Sequence, residues 1–167
     1  YADVWSTWLK YPELAQASDF VGAHLLPYWE GVEARDGERY IRDRMRLLRK
    51  TFPGRKIVIA ETGWPSEGRT KRSSVPSPAT EAYFLRNFLE LASDRGYDYY
   101  LMEAFDQPWK QAQEGAVGAY WGIFDAHARP KLRLAGELST LPDWYRFAGV
   151  AVALVVILGM LVMPRMP

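Results

Sequence analysis

The stretch RKIVIAETGWPSEG, residues 55–68, has the pattern of a buried strand that ends in a single carboxylate. Residues 57–60 are apolar, and Glu61 follows them directly, ahead of a turn-forming Thr-Gly-Trp-Pro run in which Trp64 offers a flat apolar face. A short continuous apolar run predicts a strand of a parallel sheet, buried on both faces. Because ligands bind at the carboxyl ends of such strands in α/β folds, Glu61 is a candidate functional residue.

This run resembles the active-site signature of glycoside hydrolase family 17, the β-1,3-glucanase-type family of retaining (β/α)8 barrels. In that family the Glu of the E-T-G-W-P run is the catalytic nucleophile, so the resemblance implies that role for Glu61 and a place for Trp64 among the substrate contacts. The alternative is a strand-end Glu that merely meets solvent or pairs with a nearby Arg. The resemblance implies no cofactor.

Length and composition restrict the classes of protein that need to be considered. The chain has 167 residues, whereas a complete barrel typically needs about 250. We therefore expect a piece of a barrel, and the start of the chain at Tyr1 within a predicted strand agrees with this. Lys and Arg exceed Asp and Glu by only one, so no nucleic-acid partner is indicated. With no Cys and two His, we expect no metal site.

Outward from the Glu61 run, strands and helices alternate along the chain. The patterns predict strands at residues 1–5, 19–26, 57–60 and 97–105, and helices at residues 12–17, 37–52, 78–95 and 129–139. Helices between strands imply that the strands are parallel. We predict an α/β fold, the C-terminal half of a (β/α)8 TIM barrel with about four βα units. The resemblance covers nearly all of residues 1–138, and it suggests that the four predicted strands are the fifth to eighth strands of the barrel.

Further candidate substrate contacts follow the strand at residues 19–26. His24, Tyr28, Trp29 and Glu30 are expected on the same face of the sheet as Glu61 if the strands are parallel. The segment also resembles family 17, where an aromatic residue after this strand lines the sugar cleft, which implies that role for Tyr28. His24 fits a substrate contact or a neutral, hydrogen-bonded core histidine equally well.

The run YDYYLMEAF at residues 97–105 places an acid inside a predicted strand. Strict alternation puts Glu103 on the face opposite Met102, which points Glu103 into the barrel if Met102 faces the helices. There Glu103 would tune the charge state of Glu61 or bind sugar hydroxyl groups. A structural ion pair of Glu103 is the equal alternative.

The segment FDQPWK and the residues after it resemble the last strand and loop of family 17. Acidic and Lys residues contact substrate there, and Lys110 and Glu114 match them by type. Gln107 departs from the pattern, since a Glu is common at that position in plant members. Trp109 and Trp121 are candidate sugar-stacking platforms, with packing in the core as the equal alternative.

A polar loop at residues 66–77 follows the Glu61 run and contains Arg69, Lys71 and Arg72. A mobile, solvated loop is the simplest interpretation, and a dedicated anion site is the alternative.

The end of the chain predicts a transmembrane helix at residues 147–163, seventeen apolar or small residues in succession. An aromatic pair and an Arg precede this run, and such flanking residues extend the reach of a short spanning helix. A buried core helix is the alternative. We therefore predict a partial barrel at residues 1–141, a juxtamembrane linker at 142–146 and the membrane helix after it.

A barrel half leading into a membrane segment resembles the membrane-bound family 17 proteins of bacteria that are labelled β-glucan synthases. That resemblance implies a protein of the bacterial inner membrane with an extracytoplasmic barrel, acting on β-glucan oligosaccharide or polysaccharide. It also implies a downstream membrane glycosyltransferase part of the same protein as a possible partner.

The resemblance implies a retaining β-1,3-glucan transglycosylase or endo-glucanase that synthesises or remodels β-glucan. The acid/base Glu of family 17 lies in an Asn-Glu pair after the fourth strand, and no such pair precedes Glu61. We therefore expect the isolated chain to be inactive. The alternatives are a membrane-anchored glucan-binding module without catalysis, and a structural membrane protein without a sugar site.

Overall fold

The computed structural model describes residues 1–132, 134–139 and 143–162. A parallel four-stranded sheet runs in chain order, and a second, two-stranded parallel sheet lies beside it. The strands are β1 (Ala2–Val4), β2 (Val21–His24), β3 (Ile57–Thr62) and β4 (Asp98–Leu101) in the first sheet, and β5 (Glu103–Phe105) and β6 (Gly122–Phe124) in the second. Parallel strands joined through helices confirm the predicted α/β fold.

Helices connect the strands and follow them. They are α1 (Trp5–Lys10), α2 (Gly37–Thr51), α3 (Pro78–Arg95), α4 (Gln111–Glu114) and α5 (Trp144–Val162), with 3-10 turns at Pro12–Ala15, Ala34–Asp36, Pro108–Lys110 and Ala116–Ala119. The predicted helix at residues 12–17 is thus a short 3-10 turn. Where α2 faces the sheet, Ile41, Met45 and Leu48 are fully buried, as the helical stripe predicts.

The boundaries of α3 follow from its caps. The Ser77 side chain accepts a hydrogen bond from the backbone N–H of Thr80 at 3.0 Å, and Pro78 opens the first turn. Gly96 ends the helix in the left-handed conformation, with a φ of 59°, which glycine adopts without strain. Both ends match the sequence-based prediction.

The helix predicted at residues 129–139 does not form in the described part of that range, residues 129–132 and 134–139. The Asp125 side chain accepts hydrogen bonds from the backbone N–H groups of His127 and Arg129, which fixes a tight turn. Pro130 then forms an antiparallel bridge with Phe124. The apolar spacing was therefore misleading, because local turn chemistry holds the chain against β6.

The predicted strand at residues 97–105 is broken at Met102. The Met102 N–H donates to the carbonyl of Thr62 at 2.9 Å, and the register between β3 and β4 shifts just before this point. β4 then pairs with β3, whereas β5 pairs with β6. The break leaves Glu103 buried, with 5% of the residue exposed, as the inward orientation requires.

Helix α5 is the one helix among the described residues that is long and apolar enough to cross a membrane. Its segment Trp144–Leu161 has a mean hydropathy of 2.0, and none of it is buried against the rest of the chain. The helix begins three residues before the predicted start at residue 147. Leu141, Pro142 and Met163, at the predicted domain boundaries, lie outside the described residues.

Candidate active site

Glu61 stands near the carboxyl end of β3, opposite His24 of β2. A register shift after Ala23 brings His24 to this position, and the Leu25 N–H donates to the Glu61 carbonyl at 2.8 Å. His24 Nδ1 lies 3.3 Å from Glu61 Oε2, and 39% of the Glu61 side chain is exposed. The carboxylate is thus supported on one oxygen by an imidazole and open to a ligand.

Glu103 and Lys110 form an ion pair beside this carboxylate. The short turn Pro108–Lys110 after β5 folds back and brings the Lys110 ammonium onto Glu103 Oε1. Burial raises the pKa of Glu103 above its ordinary value, although Lys110 opposes this effect. The sequence left Glu103 open between a substrate contact and an ion pair, and the structure shows the ion pair.

Lys110 is the positive centre of the site. Burial acts to lower the pKa of Lys110, but the carboxylates of Glu103, Glu114 and Glu61 outweigh it and raise that pKa above its ordinary value. Lys110 therefore stays charged and sits in the field of all three acids. Three of the predicted site residues, Glu61, Glu103 and Glu114, are thereby brought together around a fourth, Lys110.

The structure gathers four of the predicted aromatic residues into one cluster. The Tyr28 ring packs edge-on against Trp29, Trp64 and Trp121, with centroid separations of 5.1, 6.0 and 5.6 Å. Tyr28, Trp64 and Trp121 are at most 2% exposed. Their rings are therefore buried in the core, which is the alternative stated for Trp121, and Tyr28 and Trp64 are likewise packed rather than presented as open surfaces.

Trp29 and Trp109 keep ring surface that a ligand can reach. Trp29 is only partly buried and stacks at a tilt on Trp121, with 5.8 Å between the ring centroids. Trp109 is 61% exposed, and Lys110 Nζ lies 5.8 Å from its centroid. Of the predicted aromatic contacts, these two retain the accessible ring surface that stacking on a sugar ring requires.

Glu30 is held away from this chemistry by partners of its own. Its Oε1 accepts hydrogen bonds from Trp5 Nε1 at 2.6 Å and from the Tyr40 hydroxyl at 2.5 Å. The Arg44 guanidinium lies 3.6 Å from the other oxygen. The structure thus places Glu30 in a hydrogen-bonded network with α1 and α2 rather than against Glu61.

Several buried polar atoms near the site have no hydrogen-bond partner among the described residues. They are Thr62 Oγ1, Glu103 Oε2, Glu114 Oε2 and Trp121 Nε1. Buried polar groups are nearly always paired in native proteins, so each of these atoms is an exception within the described residues. Thr62, which sequence reasoning did not single out, directly follows Glu61 and is fully buried.

This geometry suits a carboxylate that acts as a nucleophile. Glu61 is partly exposed on a rigid strand, with His24 and the charged Lys110 nearby to orient and stabilise it. In the described ranges, no group of three or more His, Asp or Glu side chains is arranged to hold a metal ion.

Sequence comparison identifies relatives over most of the chain. The family model for the "BtgE/BtgC glycoside hydrolase domain" matches residues 1–122. The "Probable family 17 glucosidase SCW10" of Saccharomyces cerevisiae is 32% identical over 117 residues, which are 69% of this chain and 29% of the yeast protein. The "Probable beta-glucosidase btgE" of Aspergillus fumigatus is 28% identical over 113 residues, which are 67% of this chain and 20% of that protein.

Solved structures show the same architecture. A glycoside hydrolase family 17 β-1,3-glucanosyltransferase from Rhizomucor miehei superposes with a TM-score of 0.72 and 29% identity, covering 81% of this chain and 49% of that one. An active-site mutant of the Rhizomucor enzyme has been solved in complex with laminaritriose. The chain thus spans about half of the solved relative and less than a third of the two curated ones.

Proposed function

The chain belongs to the family of the BtgE/BtgC glycoside hydrolase domain, within glycoside hydrolase family 17, and on this premise we propose that it bears the nucleophile of a retaining β-glucan-active barrel. The observation that carries the proposal is Glu61 itself. It stands near the end of a parallel strand, open to solvent, with His24 3.3 Å from one carboxylate oxygen. A nucleophile needs this combination of a rigid support and access to substrate.

In the proposed reaction Glu61 attacks the anomeric carbon of a β-glucan and forms a covalent glycosyl-enzyme, while the bond to the leaving oxygen breaks. A second carboxyl group protonates that oxygen. In retaining enzymes it lies about 5 to 5.5 Å from the nucleophile. We assign it to a part of a longer protein beyond this chain, since Glu103 is paired with Lys110 and Glu30 is held by Trp5 and Tyr40.

Water or a sugar hydroxyl then attacks the anomeric carbon and releases Glu61, which gives hydrolysis or transglycosylation respectively. The complex of the Rhizomucor transferase with laminaritriose supports a β-1,3-glucan-type substrate. In our proposal Trp29 and Trp109, which keep accessible ring surface, contact the sugar rings.

We further propose that α5 anchors the barrel in a bacterial inner membrane, with the barrel on the extracytoplasmic side and a membrane glycosyltransferase part downstream. The support is the apolar segment Trp144–Leu161, none of which is buried against the rest of the chain. An unburied helix of this composition is stable in a lipid environment, where its backbone is internally hydrogen-bonded.

The test is product analysis of β-1,3-gluco-oligosaccharides incubated with the full-length protein, its Glu61→Gln variant and a matched Glu67→Gln variant. Glu67 is exposed in the loop that follows β3 and makes a charge-matched control. Products longer than the substrate, lost only in the Glu61 variant, would identify a transglycosylase, and shorter ones an endo-glucanase. Equal products from the wild type and the Glu61 variant would refute the assignment, and binding without turnover by the wild type would favour a glucan-binding module.

A further inference from the structure

The cationic loop between β3 and α3 is attached to the fold at several points, while its residues 67–73 are exposed to solvent, in line with the solvated part of the sequence-based interpretation. On one side the Tyr28 hydroxyl donates to the carbonyl of Arg69 at 2.5 Å, and the Ser74 hydroxyl donates to the carbonyl of Val32 at 2.5 Å. On the other side the Ser66 N–H donates to the carbonyl of Tyr120 at 2.9 Å. The loop is therefore fixed between the segments that follow β2 and β5.

Close backbone approaches reinforce this attachment. The Arg72 side chain lies directly on Gly31, where an added Cβ would stand 2.7 Å from Arg72 Cδ. Gly68 packs equally closely on Val117, with 2.6 Å between its added Cβ and Val117 Cγ1. Only glycine fits at either position, because both also have a positive φ. The cations that the loop carries are thus presented from a defined backbone.

Three cations and an aromatic ring surround one cavity there. Arg69, Lys71 and Arg72 line a cavity of about 450 Å³ together with Trp29 and Glu114. Lys71 Nζ lies 4.9 Å from the centroid of the Trp29 ring. None of the three cations forms an ion pair with another residue in the described part of the chain. The lining therefore carries an excess of positive charge.

Glu114 connects this cavity to the proposed active site. It is the one carboxylate in the lining, and it also lies in the electrostatic field of Lys110, which is shared with Glu61. Counted against the three loop cations, its single charge still leaves the cavity lining with a formal excess of positive charge. A glucan chain that enters the site therefore passes a fixed cationic cavity with an aromatic wall.

We infer that this cavity binds an oxyanion carried by the glucan, a phosphate or carboxylate group on one of its sugar units. Guanidinium and ammonium groups are the side chains that recognise such groups, and binding of a neutral glucan does not require an excess of positive charge. The inference rests on the proposed function and deepens it, because it specifies a substituted, acidic β-glucan as the preferred substrate class.

The test measures binding of two β-1,3-gluco-oligosaccharides of equal length to the full-length protein in discs of zwitterionic lipid. One is neutral, and the other is oxidised to a carboxylate at C6 of its sugar units. The acidic oligosaccharide should bind about ten-fold more tightly, the gain expected from one charge-assisted contact. The ratio of the two affinities should fall towards one in an Arg69→Gln, Lys71→Gln, Arg72→Gln variant and in high salt.

A matched triple variant, Arg39→Gln, Arg42→Gln, Arg46→Gln, removes the same charge from the outer face of α2 and should keep the ratio. Equal affinity of the wild type for both oligosaccharides, with the neutral one still bound and turned over, would overturn this inference alone. Failure of the full-length protein to bind either one would overturn the proposed function as well. Loss of the preference in discs of anionic lipid at constant salt would show that the cations bind lipid headgroups instead.

Discussion

Replacing Lys110 by Met should destabilise the protein by leaving the buried carboxylate of Glu103 without its cation. The Glu103 side chain is 2% exposed and that of Lys110 is 20% exposed. Breaking a buried ion pair on one side costs about 3–5 kcal/mol, and the partial exposure of Lys110 favours the lower end, about 3 kcal/mol. For a complete barrel this corresponds to a fall in Tm of about 6–12 °C.

The loss of stability in the Lys110→Met variant should also depend on pH in a defined direction. Burial raises the pKa of Glu103 above its value of 4.5 in the unfolded chain, and removal of Lys110 raises it further. A carboxyl group whose pKa is raised by folding contributes its full stability below about pH 4.5, and this contribution falls as the pH rises through the folded value. The Lys110→Met variant should therefore be closest to wild type in acid and weakest at neutral pH.

The assay is urea unfolding of the full-length protein, followed by tryptophan fluorescence across this pH range. The matched control is the double variant Glu103→Met, Lys110→Met, which removes both charges and should regain most of the lost stability. The reasoning would be refuted by a single variant as stable as wild type at pH 7. A double variant no more stable than the single one would refute it equally.

Three further predictions concern other parts of the chain. Burial raises the pKa of Glu81 to about 8, so the Tm of the wild type should fall as the pH rises from 5 through 8. Glu81→Gln should flatten this dependence of Tm on pH, and a variant with the wild-type dependence would contradict the burial argument. Gly68→Ala should cost about 1–3 kcal/mol in chemical unfolding and more than Gly54→Ala, because Gly68 combines a φ of 118° with a close contact to Val117, whereas Gly54 has a φ of 75° and open space. Equal losses would contradict this account of strain at Gly68. His24→Gln should lower kcat about 10–100-fold with KM nearly constant, because His24 orients Glu61, and a change confined to KM would argue against this positioning role.

Local sequence signals were sufficient for the fold and for the position of Glu61. The apolar run before Glu61 and the caps of α3 at Ser77 and Gly96 are each specified by adjacent residues. Strand order within each sheet then follows from chain order, because successive parallel strands pair with one another there. These features need no knowledge of distant contacts.

Long-range packing decided what the sequence left open or predicted wrongly. The opposition of His24 to Glu61 depends on a register shift between two strands, and the burial of Tyr28 depends on three other rings. The apolar spacing at residues 129–139 predicted a helix, but Asp125 and the bridge at Pro130 direct that segment along β6. No local pattern reports such contacts.

Covalent trapping tests the central claim, that Glu61 is the nucleophile of a retaining β-glucan enzyme. The full-length protein would be incubated with a β-1,3-linked 2-deoxy-2-fluoro-glucosyl fluoride, which slows breakdown of the glycosyl-enzyme. The masses of its proteolytic peptides would then be measured by mass spectrometry. If Glu61 is the nucleophile, one added glycosyl group will be found on Glu61 within residues 57–69, and it will be absent from the Glu61→Gln variant. An adduct on a different carboxylate, or turnover of β-glucan with no adduct at all, would contradict it.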